Sequence, residues 1–373
     1  MSQKLITQQD ATRRKVKGIE ARFEAYRTAL AILISLSLVL LVISLVSSSP
    51  FEAITLLLIG PLTNIRQFGY VILTMIPILF TGLAIMIVFK SNRFNLAVDG
   101  AFYLSMIVAA AIGITSKFSA PITIILALLA GLGVGAFLGF VPSFLNKVAN
   151  TSELVVSLMQ NYIVGHLVLY LFINVLRDKN STNLETLPLK PGVNLGSLMK
   201  FGRVNIHWGL IIALVLLILS YIVLYRTKWG YALRSTGINE RFAKYTGLNT
   251  ATIIIISQVI GTTIAGLGGA VEMLGRYPTF RLVKSPGYGF DGIMLTTLAR
   301  GNPISLPFAA FFLAYIRIGA DMINFATDVP AELIYLVQSA IILLISAKSF
   351  LNTWKQRSIV RETISIAEGE GEV

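Results

Sequence analysis

The chain has 373 residues, of which 55% are hydrophobic and 13% charged, and its formal net charge is +13. Soluble domains carry about 25% charged residues, so this composition excludes an ordinary soluble protein and indicates an integral membrane protein. The sequence contains no cysteine, which excludes disulfides, thiolate-held iron–sulfur clusters and cysteine zinc sites. His166 and His207 are too far apart in sequence to predict a metal site, and we expect His166 to be a hydrogen-bonded packing residue between helices.

The hydrophobic pattern predicts an all-α protein with about ten membrane segments. The first, 28–46, has no charge and is long enough to cross a bilayer. Its leader, 1–27, is long for a cleaved signal peptide, so we expect a retained signal anchor. The segment 288–299 is too short to cross alone and is typical of a broken helix. The other predicted segments are 69–89, 95–115, 121–145, 153–176, 208–225, 250–274, 304–322 and 331–351.

Basic residues predict the orientation of these segments. They cluster in the leader 1–27, in the loop 226–249 and in the tail 352–373. With ten crossings, all three clusters fall on one side, which the positive-inside rule identifies as the cytoplasm, so both termini are predicted to be cytoplasmic. This topology and anionic lipid headgroups account for the positive charge without a nucleic-acid partner.

Two similar stretches place an Asp-Gly pair at the head of an apolar run: "FNLAVDGAF" (94–102) and "GYGFDGIML" (287–295). Aligning them superimposes Asp99 on Asp291. In the predicted topology the two helices run in opposite directions, which is the signature of an inverted repeat. We predict that its halves are 69–176 and 250–351, within a membrane domain covering 28–351.

Intramembrane polar residues allow two interpretations. Asp is a preferred helix N-cap, so Asp99 and Asp291 are expected to cap the helices that they begin, while direct contact with a solute is the alternative. Inter-helix hydrogen bonding and lining of a pathway are equally supported for Asn161 and Glu272. The glycine-rich rows 130–139 and 265–270 predict close helix packing.

The sequence contains no Gly-Lys dipeptide, so it lacks a Walker A phosphate loop. Arg317 and Asp321 stand one helical turn apart and are expected to pair with each other, which makes them a poor proton relay. In the loop 226–249, the centre 239–245 can form a short amphipathic helix suited to a groove on a partner protein. A basic loop lying on lipid is an equally supported alternative.

Four stretches carry a resemblance to a known family: "FNLAVDGAF", "TSELVVSLMQNYIV", "YALRSTGINERFAKYTGLN" and "TFRLVKSPGYGFDGI". Together they resemble the permease subunits of ABC importers in the branched-chain amino acid and simple-sugar permease group, especially bacterial nucleoside importers. The resemblance covers about 69–351. It implies half of a translocation pathway in the bacterial plasma membrane, completed by a second permease chain, a cytoplasmic ABC ATPase and an extracytoplasmic solute-binding lipoprotein. It also implies a non-enzymatic subunit without a cofactor of its own, because ATP is bound by the ATPase.

The resemblance also assigns roles to residues. It implies a coupling helix within 234–249 that docks in the ATPase, with the matching positions Arg234, Gly237, Asn239, Arg241, Ala243, Tyr245 and Gly247. A nucleoside offers hydroxyls, a base edge and a flat ring, so the expected pathway lining is Asp99, Asn161, Glu272, Tyr288 and Asp291. A simple sugar or another small polar solute is the alternative within this class. An ion-coupled secondary transporter is the alternative from another class.

Overall fold

The computed structural model describes residues 49–327, together with Ser37 and Leu41. The predicted first and last membrane segments, 28–46 and 331–351, therefore lie almost wholly outside the described residues. The same holds for the leader and the tail, whose predicted cytoplasmic location stays a prediction.

The described residues form twelve α-helices and one antiparallel hairpin of β1 (Ser197–Phe201) and β2 (Val204–His207). A π-helical segment, Leu171–Leu176, continues α6. The helices are α1 (Pro50–Leu58), α2 (Gly60–Thr63), α3 (Ile65–Phe89), α4 (Ala97–Thr115), α5 (Ala120–Ala149), α6 (Glu153–Tyr170), α7 (Gly209–Arg226), α8 (Lys228–Ile238), α9 (Glu240–Tyr245), α10 (Thr250–Arg276), α11 (Tyr288–Leu298) and α12 (Leu306–Ala326).

Seven helices within the described part are long and apolar enough to cross a membrane: α3, α4, α5, α6 with its π-helical extension, α7, α10 and α12. They correspond to the seven long segments predicted there. The short segment is also confirmed, because α11 has 11 residues, about 16 Å of helix, which is half a bilayer core. The structure is thus mostly helical, with helices of the length and apolar composition that crossing a bilayer requires.

The hairpin corrects the all-α prediction. It lies between α6 and α7, which in the predicted topology is the extracytoplasmic side, opposite the loop 226–249. The hairpin turns at Gly202 with a left-handed φ of 61°. A Cβ built on Gly69 of α3 would lie 2.8 Å from the Phe201 Cβ, so the hairpin packs directly on that helix. Residues outside the apolar runs must still satisfy their backbone hydrogen bonds, and this stretch does so by pairing with itself.

Helix α3 is buried along nearly its whole length, and contacts with it show the direction in which the neighbouring helices run. Helix α10 runs antiparallel to it, because Gly261 of α10 approaches Ala84 whereas Gly268 approaches Phe80. Helix α11 runs parallel to α3: its Gly292 lies against Thr81, and Gly301, beyond its end, lies near Lys90.

Helix α4 runs with α10. Asn95, just before α4, donates a hydrogen bond to Gln258, and Phe102 further along α4 lies against Gly268 and Gly269. It follows that α4 and α11 run in opposite directions. This agrees with the predicted inversion of the two Asp-Gly segments, while the repeat of the complete halves stays a prediction.

The glycine-rich rows pack against each other, as predicted. A Cβ built on Gly131 of α5 would lie 2.8 Å from both the Ala270 Cβ and the Gly266 carbonyl oxygen of α10. Larger side chains at Gly131 would therefore separate the two backbones.

Internal contacts divide the chain into two units. The larger unit, Leu58–Gly319, contains α2 to α11, the hairpin and every residue of the candidate site. In the other unit the described residues include nearly all of α1 and the last residues of α12.

Candidate functional site

The N-termini of α4 and α11 meet inside the larger unit, and Asp99 joins them. Its Oδ1 accepts a hydrogen bond from the Gly289 backbone N–H at 3.0 Å, and the residue is 8% exposed. Asp99 was expected to cap its own helix, and this expectation is wrong, because it caps α11 instead. The carboxylate satisfies an N–H group at the positive end of that helix dipole.

Asp99 caps α11 and not α4 for a local reason. The first turn of α4 already has a side-chain partner, since Asn95 Oδ1 accepts from the Ala97 N–H at 2.8 Å. In the alignment of the two segments, Asn95 corresponds to Gly287, which has no side chain and a left-handed φ of 75°. The Gly289 N–H of α11 therefore remains available to Asp99.

Asp291 also departs from the expected capping role. Its Oδ2 accepts a hydrogen bond from the Arg317 guanidinium of α12, which also donates to the Pro286 carbonyl at 3.1 Å. Sequence reasoning paired Arg317 with Asp321, one turn away, and missed its ion pair with Asp291. The two aspartates that align in sequence thus have different partners.

Tyr288 begins α11 and lies between an aromatic ring and a cation. Its ring centroid is 5.3 Å from that of Phe102 in an edge-to-face arrangement. The Arg317 guanidinium carbon lies 4.9 Å from the Tyr288 ring centroid, within the range of a cation–π contact. Tyr288 is 5% exposed, so its ring packs in the protein.

Asn161 of α6 binds the first turn of α4 through both ends of its amide. Its Oδ1 accepts from the Gly100 N–H at 3.1 Å, and its Nδ2 donates to the Leu96 carbonyl at 2.8 Å. These are inter-helix hydrogen bonds, one of its two predicted roles. The structure thus brings Asp99, Asn161, Tyr288 and Asp291 together in one helix junction.

Glu272 belongs to a second polar group, further along α10, which lies close enough to Tyr288 and Arg317 to interact with them electrostatically. It is fully buried, and its Oε1 accepts from Arg276 at 3.2 Å. Its Oε2 lies 3.8 Å from His207 Nε2, and neither of these two atoms has a hydrogen-bond partner among the described residues. Burial, with the nearby Arg276 charge, lowers the pKa of His207 to about 4, so the ring is neutral at pH 7.

The segment 90–96 connects this junction to the loop 226–249. At one end a Cβ built on Gly237 would touch the Lys90 carbonyl, and Arg93 forms a 2.8 Å ion pair with Glu240. At the other end Asn95 begins a buried chain of hydrogen bonds to Gln258 and from there to Glu153. Sequence reasoning missed this connection, since its partners are distant in the chain.

The loop 226–249 contains more helix than predicted. The predicted helix at 239–245 is confirmed as α9, and its N-cap is Asn239, which accepts from the Phe242 N–H at 3.0 Å. The preceding residues form α8, capped by Thr227. Gly247 makes the following turn with a φ of 83°.

The seven predicted coupling residues divide by environment. Ala243 is fully buried, Gly237 lies against the Lys90 carbonyl and Arg234 lies over the Tyr225 ring at 4.8 Å. The exposed members of the set are Asn239, Arg241, Tyr245 and Gly247. Three large exposed side chains lie on α8 and α9. Ile238 ends α8, and Phe242 and Tyr245 stand three residues apart on α9; they are exposed by 87%, 59% and 92%.

The prediction for His166 is wrong. It is exposed, and it forms no hydrogen bond within the described part of the chain. It stands in a row of exposed residues at four-residue spacing along α6 and its π-helical extension. We name this row the α6 polar row: Tyr162, His166, Tyr170 and Asn174. The spacing is visible in the sequence, whereas the exposure is not.

One cavity lies at the hairpin end of α10. Its volume is about 450 Å³, and its lining includes Lys190, Asn194, Asn205 and Arg276. None of the five predicted pathway residues lines it. The cavity is therefore separate from the helix junction.

The profile of a protein family, the permease component of branched-chain amino acid transport systems, matches residues 67–346. A guanosine ABC transporter permease protein of Bacillus subtilis is 30% identical over 293 residues, which cover 77% of this chain and 83% of the relative. A nucleoside ABC transporter permease protein of Lactococcus lactis is 27% identical, covering 85% and 89%. A glucose ABC transporter permease protein of Haloferax volcanii is 26% identical, covering 82% and 83%. No solved structure gives a significant match.

Proposed function

Because this chain belongs to the permease component family of branched-chain amino acid transport systems, we propose that it is a permease subunit of a nucleoside ABC importer. Membership makes it a multi-pass membrane transport subunit and not an enzyme, with ATP hydrolysis in a separate subunit. The observation that carries the nucleoside assignment is the similarity, over most of the chain, to relatives named for guanosine and nucleosides.

A sugar is the second candidate solute. The relative from Haloferax volcanii is named for glucose and is covered to a similar extent. Nucleosides and sugars both present hydroxyls to hydrogen-bond, but only a nucleoside adds a flat base that can stack on an aromatic side chain.

The partners of the proposed importer follow from its class. A cytoplasmic ABC ATPase would supply energy, a second permease chain would complete the pathway, and an extracytoplasmic lipoprotein would deliver the solute. The exposed Phe242 and Tyr245 of α9, with Ile238 just before that helix, support the first of these, since a row of exposed apolar and aromatic side chains suits an apolar groove. Arg241 and Lys244 beside this row favour an acidic rim on the ATPase.

The contacts of the segment 90–96 support a route for coupling. Movement of α8 and α9 by the ATPase would act on Lys90 and on the Arg93–Glu240 ion pair. Through Asn95 the movement would reach the first turn of α4, and through Asp99 it would reach α11. Opposite shifts of these two helices would open a central pathway alternately to the two sides of the membrane.

Within this proposal, ten segments, an inverted repeat of 69–176 and 250–351, and two cytoplasmic termini describe the complete chain. The seven candidate spans, the short α11 and the opposite directions of α4 and α11 support it. All five predicted residues are retained as the pathway set: Asp99, Asn161, Tyr288 and Asp291 form the junction around which the two repeats move, and Glu272 lies outside that junction.

The experiment that tests the proposal is uptake by the complete importer, reconstituted in liposomes with its ATPase, second permease and binding protein. We expect ATP-dependent uptake of radiolabelled guanosine or another nucleoside, and little uptake of glucose. Uptake of glucose without uptake of any nucleoside would show that the solute is a sugar and not a nucleoside. Ion-driven uptake by this chain alone would overturn the importer assignment.

A matched pair of variants tests the coupling surface. Phe242→Ala removes an exposed apolar side chain from α9 and is expected to reduce co-purification of the ATPase. Ile163→Ala removes an equally exposed side chain from α6 and serves as the control. Equal ATPase retention by the two variants would contradict docking at α9.

A further inference from the structure

The middle of the α6 polar row, at His166, lies at a depth where lipid is an unfavourable neighbour, whereas Tyr170 and Asn174 lie nearer the end of the span. His166 is the fourteenth residue of the 24-residue span Glu153–Leu176. It therefore lies about 20 Å from one end and about 15 Å from the other, at 1.5 Å per residue. Its side chain is too short to reach either headgroup region, in contrast to the long side chains that extend to the interface.

The hydrogen-bonding capacity of the row is largely unused within the described part of the chain. No hydrogen bond there involves the hydroxyls of Tyr162 and Tyr170 or the ring nitrogens of His166. All three residues are exposed, Tyr162 by 72% and Tyr170 by 58%. Only Asn174 uses its amide, donating to the Tyr170 carbonyl at 3.3 Å. In a bilayer such groups need a polar neighbour, which must come from water, a solute or another protein.

The adjacent residues of the same helix provide the contrast. Met159, Ile163 and Leu167 are 62%, 67% and 43% exposed and entirely apolar, as a lipid-facing surface should be. Helix α6 thus presents two different chemistries beside each other. The separation of polar from apolar side chains on one exposed face indicates two different environments.

The position of the row connects it to the helix junction. Tyr162 directly follows Asn161, whose amide holds the first turn of α4. The row then extends for twelve residues, about 18 Å, to the π-helical segment that ends the span.

We propose that the α6 polar row lines the aqueous translocation pathway and contacts the solute directly. This inference rests on the proposed function of the chain as half of an importer. The four predicted junction residues Asp99, Asn161, Tyr288 and Asp291 have their polar or aromatic groups engaged within the protein, so the row supplies the exposed contacts. Its two phenol rings suit stacking against a planar base, and its imidazole and amide suit hydrogen bonds to base edges or hydroxyls.

The test uses the natural absence of cysteine from this chain. Tyr162→Cys, His166→Cys and Tyr170→Cys are placed singly in the tagged chain, with Ile163→Cys and Leu167→Cys as controls. The complete importer in liposomes is treated with a small charged methanethiosulfonate, and labelling of the tagged chain is followed over time. A thiol reacts as the thiolate, which requires water, so we expect the row variants to react at least about tenfold faster than the controls.

Protection identifies the solute contact. Guanosine is expected to slow labelling of the row variants several-fold and to leave the controls unchanged. Row variants that react as slowly as the controls in the complete importer would overturn the proposal. If they react quickly only in the isolated chain, the row is an interface with the second permease, which also overturns it. Fast labelling that guanosine does not slow would overturn the solute contact.

Uptake by the wild-type importer, measured in parallel, separates this inference from the proposed function. Protection by glucose together with glucose uptake would show that the solute is a sugar and not a nucleoside. The row would still line the translocation pathway. Nucleoside uptake together with slow labelling of every row variant would leave the importer assignment intact and reject the row.

Discussion

The helix junction and the α6 polar row both contain polar side chains at membrane depth, but they differ in their partners. At the junction, Asp99 binds a helix N-terminus and Asp291 binds an arginine. In the row, His166 has no hydrogen bond in the described chain and is exposed. A polar residue that is satisfied internally stabilises the fold, whereas one left unsatisfied at this depth needs a neighbour from outside the chain.

The largest effect on stability is expected from Asp291→Ala. It leaves the Arg317 cation without this carboxylate in a largely buried site, so we expect a loss of about 3 kcal/mol in the free energy of unfolding and lower uptake. Denaturant unfolding in detergent measures the first quantity, and vesicle uptake the second. Asp291→Asn, which can still accept a hydrogen bond, is the control and should lose less. If Asp291→Ala unfolds like wild type, Asp291 is not structural, and unchanged uptake would also remove it from the pathway set.

His207 extends the comparison to a buried group outside the spans. Its pKa is lowered to about 4 by burial and Arg276, from 6.5, so the unfolded chain binds a proton more readily. Stability from this group is therefore present above pH 6.5 and lost as the pH falls toward 4, by at most ~3 kcal/mol. His207→Asn keeps an acceptor for the Gly209 N–H but does not titrate in this range. A wild-type pH profile that matches this variant between pH 6.5 and 4 would contradict the effect.

Asp99→Ala should have a smaller effect, ~1 kcal/mol, which is typical for loss of a capping side chain. The Gly289 N–H would lose its acceptor, and the contact between α4 and α11 would weaken. Asp99→Asn retains a side-chain oxygen and should stay close to wild type. Thermal unfolding of the two variants in the same detergent measures their loss of stability. Equal losses of stability in the two variants would show that the charge of Asp99 contributes more than its capping hydrogen bond.

The smallest effect on stability is expected from His166→Leu. Removal of an exposed side chain without hydrogen bonds should change the free energy of unfolding by less than about 0.5 kcal/mol. Uptake should nevertheless fall several-fold, because the pathway loses a polar contact. Leu167→Ala is the matched substitution on the apolar side of α6. Loss of stability and uptake together in His166→Leu would assign the row to the fold and remove the contrast with the junction.

Much of the fold follows from local signals. A predominantly apolar run of about 20 residues predicts a span, and all seven such runs in the described region are helices. The short α11 and the helix α9 were likewise predicted from length and amphipathic spacing. The hairpin was not, because its pairing depends on a turn at Gly202 and on packing against α3.

The candidate site was predictable only in part. The Asp-Gly pairs identified two helix starts that do meet, and inter-helix hydrogen bonding was one of two equally supported roles for Asn161. The partners of Asp99 and Asp291 were assigned wrongly, because a sequence shows which residue can cap a helix but not which helix is nearest. Arg93 and Glu240 are 147 positions apart, and no local pattern predicts such a pair.

The sequence by itself determined the membrane environment of the protein, the number of described spans and the family. These depend on composition, on the length of apolar runs and on motifs. Only the tertiary structure decided which polar residues have hydrogen-bond partners within the chain. Asn95 occupies the first turn of α4, Gly287 leaves that of α11 open, and Asp99 therefore crosses between them. The role of a polar side chain depends on the partners that surround it, and His166 has no hydrogen bond within the described chain.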